Sequence, residues 1–323
     1  MLIWIIDEEW KDYDLEKETL EARYPGVEIR CSTYDYEKDL EDFGYKADGI
    51  LAQVYASIPG SVIERLENCK GIAVYGGGYD RIDVEAARKK GISVTNISGY
   101  CAEDLADYVI AAMYYVNKKI AQYSSTVVED SSHNRWGAMA VTAQEHRLSA
   151  QTLSILGLGV IGKVVAARAK ALGMRVIAFD DFVSKDKMDA VGVEKVSFEE
   201  AFRQADFLSI NLKGCDENLD KVNAAAMALM KPSAWIINTS RGKLIDEDAL
   251  IAAVKAGTIA GAILDVIKVE PPTGSEPILH CPGIYVTPHV SYISVESFRA
   301  LKERALENLG NMLDGKRPRD LVN

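Results

Sequence analysis

The sequence predicts an α/β protein built from two doubly wound domains, each a parallel sheet with helices on both faces. Three observations predict it. At 323 residues the chain is long for a single core. Short apolar runs alternate with amphipathic, charged segments in two separate series, the rhythm of repeated strand-helix units. The second series opens on a glycine-rich turn between a strand-like run and a helix-like one.

The first series runs from residue 1 to about 95, with LIWII, VEIRC, GILAQV, GIAVY and ISVTN as strands and stretches such as ERLEN and VEAARKK between them. In YDRIDVEAA, Asp80 and Asp83 precede an amphipathic segment, where an aspartate serves as a helix N-cap more readily than as half of a metal pair. Residues 102–121, AEDLADYVIAAMYYVNKKIA, have helical periodicity, open on acids and close on lysines, as the helix dipole favours. They are expected to form one connecting helix. The second series comprises TLSILGLGVIG, MRVIAFD, FLSINL, AWIINTS, AGAILDV and IYVTPH. Residues 294–313, SVESFRALKERALENLGNML, then read as one helix long enough to return the chain to the first domain.

The charge narrows the function. Forty-eight acidic against 37 basic side chains, a net charge of −11, give nucleic-acid phosphates little attraction. Cys31, Cys69, Cys101, Cys215 and Cys281 are odd in number, far apart and without a C-x-x-C pair, which points to reduced structural thiols rather than a metal or redox site. MLIWIIDEEW lacks the basic flank and cleavage site of a signal peptide, and no apolar stretch approaches the roughly 20 residues of a membrane span. The expectation is a cytoplasmic protein with no nucleic-acid or membrane partner.

Arg241, Glu270 and His289 each follow a strand-like run of the second series, so a parallel sheet would deliver a guanidinium, a carboxylate and an imidazole to one edge. Such a trio can grip a carboxylate and move a proton at neutral pH. His133 and His146 lie in polar sequence and His280 beside Cys281-Pro282, none of them in a comparable setting.

GLGVIG at 157–162 stands between TLSIL and KVVAARAKAL, the context of a dinucleotide fingerprint. Gly157 permits the tight turn, Gly159 lets backbone amides approach a pyrophosphate, and Gly162 permits close helix packing, with Val160 and Ile161 opening the helix whose N-terminus faces the anion. MRVIAFD ends at Asp180, 18 residues past Gly162, where a carboxylate accepts from ribose hydroxyls and repels a 2′-phosphate. Asp181 adds negative charge. The cofactor expected is NAD, on a Rossmann domain.

With GGGYDRIDVEAA at 76–87, GLGVIG with Asp180, ALMKPSAWIINTSRGKLIDEDAL at 228–250, LDVIKVEPP at 264–272 and TPH at 287–289, the chain resembles the D-isomer-specific 2-hydroxyacid dehydrogenase family over nearly its whole length. The resemblance implies a discontinuous, flavodoxin-like substrate domain of residues 1–99 plus 294–323 and an inserted Rossmann NAD-binding domain of residues 100–293. It implies NADH-dependent reduction of a 2-oxo acid to a D-2-hydroxy acid. Arg241 would bind the substrate carboxylate and polarise its 2-oxo group. His289 would act as acid and base, and Glu270 would orient and charge the imidazole. Thr239 and Asp265 join the cofactor residues, Asp265 at the nicotinamide carboxamide. Gly77, Gly78 and Tyr79 would cradle the substrate carboxylate, with Tyr55, Tyr100 and Tyr292 lining the pocket for a small or medium, partly apolar side chain. A homodimer is implied, with Trp136 near the connector where the family forms its interface.

The chain departs from the family pattern in places. Asn211-Leu212-Lys213, followed by GCDENLDK, replaces a common His-x-Pro beside the adenine. Ser98 stands for a frequent proline and Asp107 for a usual glutamate. Two other activities share the fold: an NAD(H)-sensing corepressor, which the acidic charge disfavours, and a formate- or phosphite-type dehydrogenase. Glu270 counts against the formate type, where glutamine partners the histidine.

Overall fold

The computed structural model of the chain describes residues 1–10, 12–141 and 145–323. It divides into two compact units, Met1–Tyr100 with Ile293–Asn323, and Cys101–Tyr292. In the first, β1 (Leu2–Ile6), α1 (Asp14–Arg23), β2 (Glu28–Ser32), α2 (Glu37–Asp42), β3 (Gly49–Gln53), α3 (Gly60–Ile63), β4 (Gly71–Tyr75), α4 (Val84–Lys89) and β5 (Ser93–Thr95) follow in order. The five strands form one sheet in the order β2-β1-β3-β4-β5, every pair parallel. That order is the flavodoxin-like one. The central strands β3 and β4 are buried along their whole length, which is why GILAQ and GIAVY read as continuous apolar runs rather than as alternations. Asp83 caps α4, accepting from the Ala86 amide at 2.9 Å.

The second unit holds α5 (Ala102–Lys118), α6 (Ile120–Ser132), β6 (Thr152–Leu156), α7 (Val160–Ala171), β7 (Arg175–Phe179), α8 (Lys185–Asp189), β8 (Glu194–Lys195), α9 (Phe198–Gln204), β9 (Phe207–Ile210), α10 (Ala224–Met227), β10 (Trp235–Asn238), α11 (Glu247–Lys255), β11 (Gly261–Leu264) and β12 (Ile284–Val286). Its seven strands lie in the order β12-β11-β10-β9-β6-β7-β8. All pairs are parallel, and the chain order reverses at β6 and β9. This is the Rossmann arrangement, whose ligands bind outside the carboxyl ends of the strands at the reversal.

The single helix expected over 102–121 is two. Lys119 takes a left-handed φ of 49° between α5 and α6. The break falls where burial ends: α5 buries eight residues, from Ala102 to Asn117, whereas α6 buries none. Helical continuity has no packed face to maintain it beyond Lys118. Among the described residues no helix is long and apolar enough to cross a membrane.

The last helix, α12 (Val295–Leu313), belongs to the first unit. A reciprocal capping box starts it, the Ser297 amide donating to Ser294 Oγ and the Ser294 amide to Ser297 Oγ, both at 2.9 Å. Leu301, Leu306, Leu309 and Leu313 are at most 4% exposed, each contributing about 1.5–3 kcal/mol of burial. Glycines at the starts of β3 and β4 make room for it. A β-carbon at Gly49 would stand 2.8 Å from Leu309 Cδ1, and one at Gly71 would stand 2.5 Å from Met312 Sδ.

A buried charge ties α12 to α1. Glu16 is fully buried, accepts from Tyr75 Oη at 3.0 Å and pairs with Lys302 Nζ at 3.2 Å. Removing Lys302 leaves a carboxylate unpaired in the interior, so Lys302→Ala is expected to cost about 3–5 kcal/mol. Thermal unfolding followed by circular dichroism checks it. In a Glu16→Gln background the same substitution should cost much less; an equal cost in both would show that the pair is not what Lys302 stabilises.

Candidate active site

All three residues of the predicted trio lie in the second unit, in loops that leave the carboxyl ends of β10, β11 and β12. The β10 exit is fixed by Asn238, whose side chain is fully buried. Its Nδ2 donates to the Arg241 carbonyl at 2.9 Å and its Oδ1 accepts from the Ser240 amide at 3.0 Å. Ser240 Oγ donates to the Ile210 carbonyl at 2.9 Å, fastening the turn to β9. Gly242 then packs its backbone on the Ile267–Lys268 peptide so closely that a β-carbon there would overlap Ile267 C and O. The turn carrying Arg241 is thereby held against the segment leading to Glu270. Arg241 Nη1 donates to the Ser240 carbonyl at 2.8 Å.

Asp265, 1% exposed, ends β11 and organises the β12 exit. Its Oδ1 accepts from Thr287 Oγ1 at 2.6 Å and the Val290 amide at 2.9 Å, and its Oδ2 from the Ser291 amide at 2.8 Å. The His289 amide donates to the Asp265 and Thr287 carbonyls, both at 2.9 Å. Within this turn His289 has φ 54°, a region that a non-glycine residue enters only when its surroundings dictate it. Tyr108 Oη on α5 lies 2.6 Å from Thr287 Oγ1 and extends the network.

Glu270 Oε2 and His289 Nδ1 are 2.9 Å apart, with 18% and 17% of their side chains exposed. A carboxylate can only accept, so Nδ1 donates and the tautomer is set. Glu270 Oε1 accepts from the Ile267 amide at 2.9 Å. Burial pushes the Glu270 carboxyl up. The His289 hydrogen bond and charge, the Ile267 amide and the Arg241 charge outweigh it and leave the group below its ordinary value. Arg241 therefore acts on Glu270 through space, and the structure brings the trio together. Tyr292 joins it, its ring edge-on to His289 at 6.1 Å between centroids.

At the other end of the edge, Gly157 has φ 92°, and a β-carbon on it would stand 2.7 Å from the Asn211 carbonyl oxygen. A β-carbon at Gly162 would strike the Gly157 carbonyl, whereas one at Gly159 would meet nothing within 4 Å. These are the tight turn, the helix contact and the open approach that a pyrophosphate requires, with Val160 and Ile161 starting α7. Asp180 Oδ2 accepts from the Leu158 amide at 2.8 Å, and Oδ1 from the amides of Phe182 at 2.8 Å and Val183 at 3.1 Å. The hydroxyl of Thr239 is buried with no partner, an orphan donor beside the β10 exit. The residues present fit a dinucleotide.

Gly77, Gly78, Tyr79 and Tyr55 are in the first unit, following β4 and β3 at the carboxyl edge of its sheet. Asn96 Nδ2 donates to the Gly77 carbonyl at 2.7 Å. The Tyr55 carbonyl accepts from Arg81 Nη1 at 3.2 Å, and the Arg81 guanidinium lies 5.6 Å from the Tyr55 ring centroid. Tyr100 packs, half-buried, on the first unit's core. His133 and His280 bond to the carbonyls of Glu129 and Gly274, and His146 is exposed. Sequence reasoning missed Asn238, Gly242, Thr287 and Tyr108. The first three stand inside stretches that the motifs cover: Asn238 is a buried polar residue close before Arg241, Gly242 directly follows Arg241, and Thr287 is a half-buried hydroxyl close before His289; nothing in the sequence pointed to Tyr108.

Two parallel-sheet units, one of them presenting a glycine cradle and an Arg-Glu-His trio along one edge, define a dinucleotide-dependent oxidoreductase. Comparison with known proteins agrees. Residues 110–291 match the NAD-binding domain of D-isomer-specific 2-hydroxyacid dehydrogenases. A glyoxylate reductase of Korarchaeum cryptofilum is 34% identical over 276 residues, 85% of this chain and 82% of its own. A glycerate dehydrogenase of Methylorubrum extorquens is 30% identical, covering 95% of this chain and 97% of its own. The crystal structure of a Thermus thermophilus protein superposes over the full length of both chains with a TM-score of 0.84 at 28% identity. The chain belongs to the D-isomer-specific 2-hydroxyacid dehydrogenase family. It is an NAD-dependent oxidoreductase of CH–OH groups that reduces 2-oxo acids to 2-hydroxy acids, with NAD(H) as cofactor.

The depressed Glu270 carboxyl has a consequence for stability. Its contribution is fully present above the ordinary value of 4.5 and is lost as the pH falls through the lower folded value. Lowering the pH below 4.5 should therefore bring the melting temperature of the wild type down towards that of Glu270→Gln. A constant offset between the two through that range would remove the pair as a source of stability.

Proposed function

We propose that Arg241, Glu270 and His289 carry out the reduction, yielding the D-2-hydroxy acid. The observation that carries this reading is the 2.9 Å bond between His289 Nδ1 and Glu270 Oε2, together with the charge of Arg241 acting on the same carboxylate. NADH, when bound, would supply the hydride.

The planar fork of Arg241 grips the substrate carboxylate and polarises the 2-oxo group, which a point charge such as lysine does less well. His289 delivers a proton from Nε2 to the carbonyl oxygen in reduction and recovers it in oxidation. Glu270, held by the Ile267 amide, fixes the tautomer and stabilises the imidazolium that precedes proton transfer. Gly157 to Gly162 would hold the pyrophosphate, Asp180 the adenosine ribose, and Thr239 and Asp265 the nicotinamide end. Three acceptor positions of Asp265 are engaged by the His289 turn, and a carboxylate has about four, so capacity for a carboxamide remains. The family resemblance adds the amides of Gly77, Gly78 and Tyr79 as carboxylate ligands. Tyr55, Tyr100 and Tyr292 favour a small or medium, partly apolar side chain on the substrate. Free thiols at all five cysteines suit a cytoplasmic enzyme.

A panel of 2-oxo acids assayed with NADH and NADPH side by side tests the reading. His289→Ala is expected to lower kcat by about 10²–10⁴-fold with NADH affinity unchanged. Intact NADH binding by the wild type without turnover of any 2-oxo acid would instead make the chain a nucleotide sensor.

We also propose a homodimer formed through the α6 arm. Ile120 is 74% exposed, Val128 79%, Trp136 69% and Met139 67%, a concentration of apolar side chains that a monomer rarely presents to water. Trp136→Glu should convert a dimer into a monomer in sedimentation velocity; a monomeric wild type, or a dimer that survives the substitution, would refute this interface.

A further inference from the structure

Gly214 stands four residues beyond β9, in the stretch Asn211-Leu212-Lys213-Gly214-Cys215 that departs from the family pattern. Its neighbour is Arg241. A β-carbon at 214 would lie 2.5 Å from Arg241 Cγ, 3.1 Å from Arg241 Cβ and 3.3 Å from Lys243 Cε. The φ of Gly214 lies outside the left-handed region, so its backbone conformation suits alanine as well as glycine. What requires glycine here is space.

Neither backbone is placed to yield. The 214 side is closed by its own hydrogen bonds, Cys215 N to the Lys213 carbonyl at 3.1 Å and Asn218 Nδ2 to the same carbonyl at 3.0 Å. The 241 side is held by Asn238 and by the approach of Gly242 to Ile267. A methyl group at 214 therefore moves the Arg241 side chain. Because the contact is at Cγ, near the root of the side chain, relief comes by rotation about χ1, the torsion that moves Cγ, and this carries the guanidinium to another well. Misplacement of a substrate-positioning group by about 1 Å can cost about 10²-fold in rate.

We propose that Gly214 is a positioning residue for substrate binding: the absence of a side chain at 214 leaves Arg241 the path along which its guanidinium reaches the substrate carboxylate. The inference rests on the reading of Arg241 as that carboxylate's ligand. It also gives the atypical loop a purpose beyond the cofactor, since the glycine faces the substrate-binding arginine.

The test is a double-mutant cycle on the NADH-loaded enzyme, read by steady-state kinetics, by competition with oxalate as an unreactive 2-oxo acid mimic, and by NADH titration. Gly214→Ala is expected to raise KM for the 2-oxo acid and Ki for oxalate by about tenfold or more, with kcat reduced and the NADH dissociation constant unchanged. In an Arg241→Ala background, which removes the crowded Cγ, Gly214→Ala should add no further loss. Should Gly214→Ala lower the melting temperature, Arg241→Ala should restore it. Wild-type kinetics for Gly214→Ala, losses that add to those of Arg241→Ala, an equal weakening of NADH, or a melting temperature that Arg241→Ala fails to restore would each overturn the proposal. An inactive Arg241→Ala beside a silent Gly214→Ala sinks this inference alone. A fully active Arg241→Ala sinks the reading of Arg241 beneath it.

Discussion

The structure of the candidate site depends on one buried carboxylate. Asp265 is 1% exposed, and an ion so placed is tolerable only when donors surround it. The donors come from the β12 exit: the Thr287 hydroxyl and the amides of Val290 and Ser291. Satisfying them forces the intervening backbone into a tight turn, and His289 accepts a left-handed φ of 54° as the result. The cost of that conformation, of the order of 1–3 kcal/mol, is offset by three charge-assisted hydrogen bonds. His289 is thus held where Asp265 requires it, and Glu270, on the loop that Asp265 begins, meets its Nδ1 there.

Backbone contacts between neighbouring loops do the rest of the positioning. Gly157 lies on the Asn211 carbonyl, Gly162 on Gly157, and Gly242 on the Ile267–Lys268 peptide. Gly157 and Gly242 each remove a β-carbon at a point where two exits of the sheet must approach more closely than side chains permit, and Gly162 does so where α7 meets its own turn. The consequence is that the exits of β6, β9, β10 and β11 form a connected edge. With the β12 exit joined through Asp265, the glycine cradle at one end and the paired imidazole at the other are parts of one contacting layer, not independent loops.

The sequence revealed the fold through burial. Where strands are covered on both faces, as in GIAVY and TLSIL, apolar runs coincide with observed strands residue for residue. The glycine cradle was equally legible, because the spacing of its three glycines between a strand-like and a helix-like run marks the turn before any contact is known. Two things were not. The end of α5 at Lys118 depends on where the second unit's core stops, which periodicity cannot express, since the apolar pattern continues into α6. Of the supports of the trio, Tyr108 acts on Thr287, 179 residues away, and Asn238, which holds the Ser240 and Arg241 backbone close by, is a buried asparagine at a strand end that looks like any turn residue. Residues that carry charge in a motif are visible one at a time, whereas those that hold them become visible only in pairs.

The acidic pair at the end of β7 shows the same limit. Asp180 and Asp181 read together as a doubled barrier to a 2′-phosphate. In the structure they differ. Lys221 Nζ lies 3.8 Å from Asp181 Oδ2 and also within 5.6 Å of the Phe179 ring centroid, so much of the Asp181 field is cancelled locally. Asp180 is held instead by three backbone amides, neutral dipoles that fix its direction and leave its net charge in place. On the proposed reading of Asp180 as the ribose ligand, discrimination for NAD against NADP falls on that residue. The Leu158 amide, a member of the glycine turn itself, sets the position of that charge relative to the cradle, so the groups that would bind the pyrophosphate and the ribose are built as a single unit.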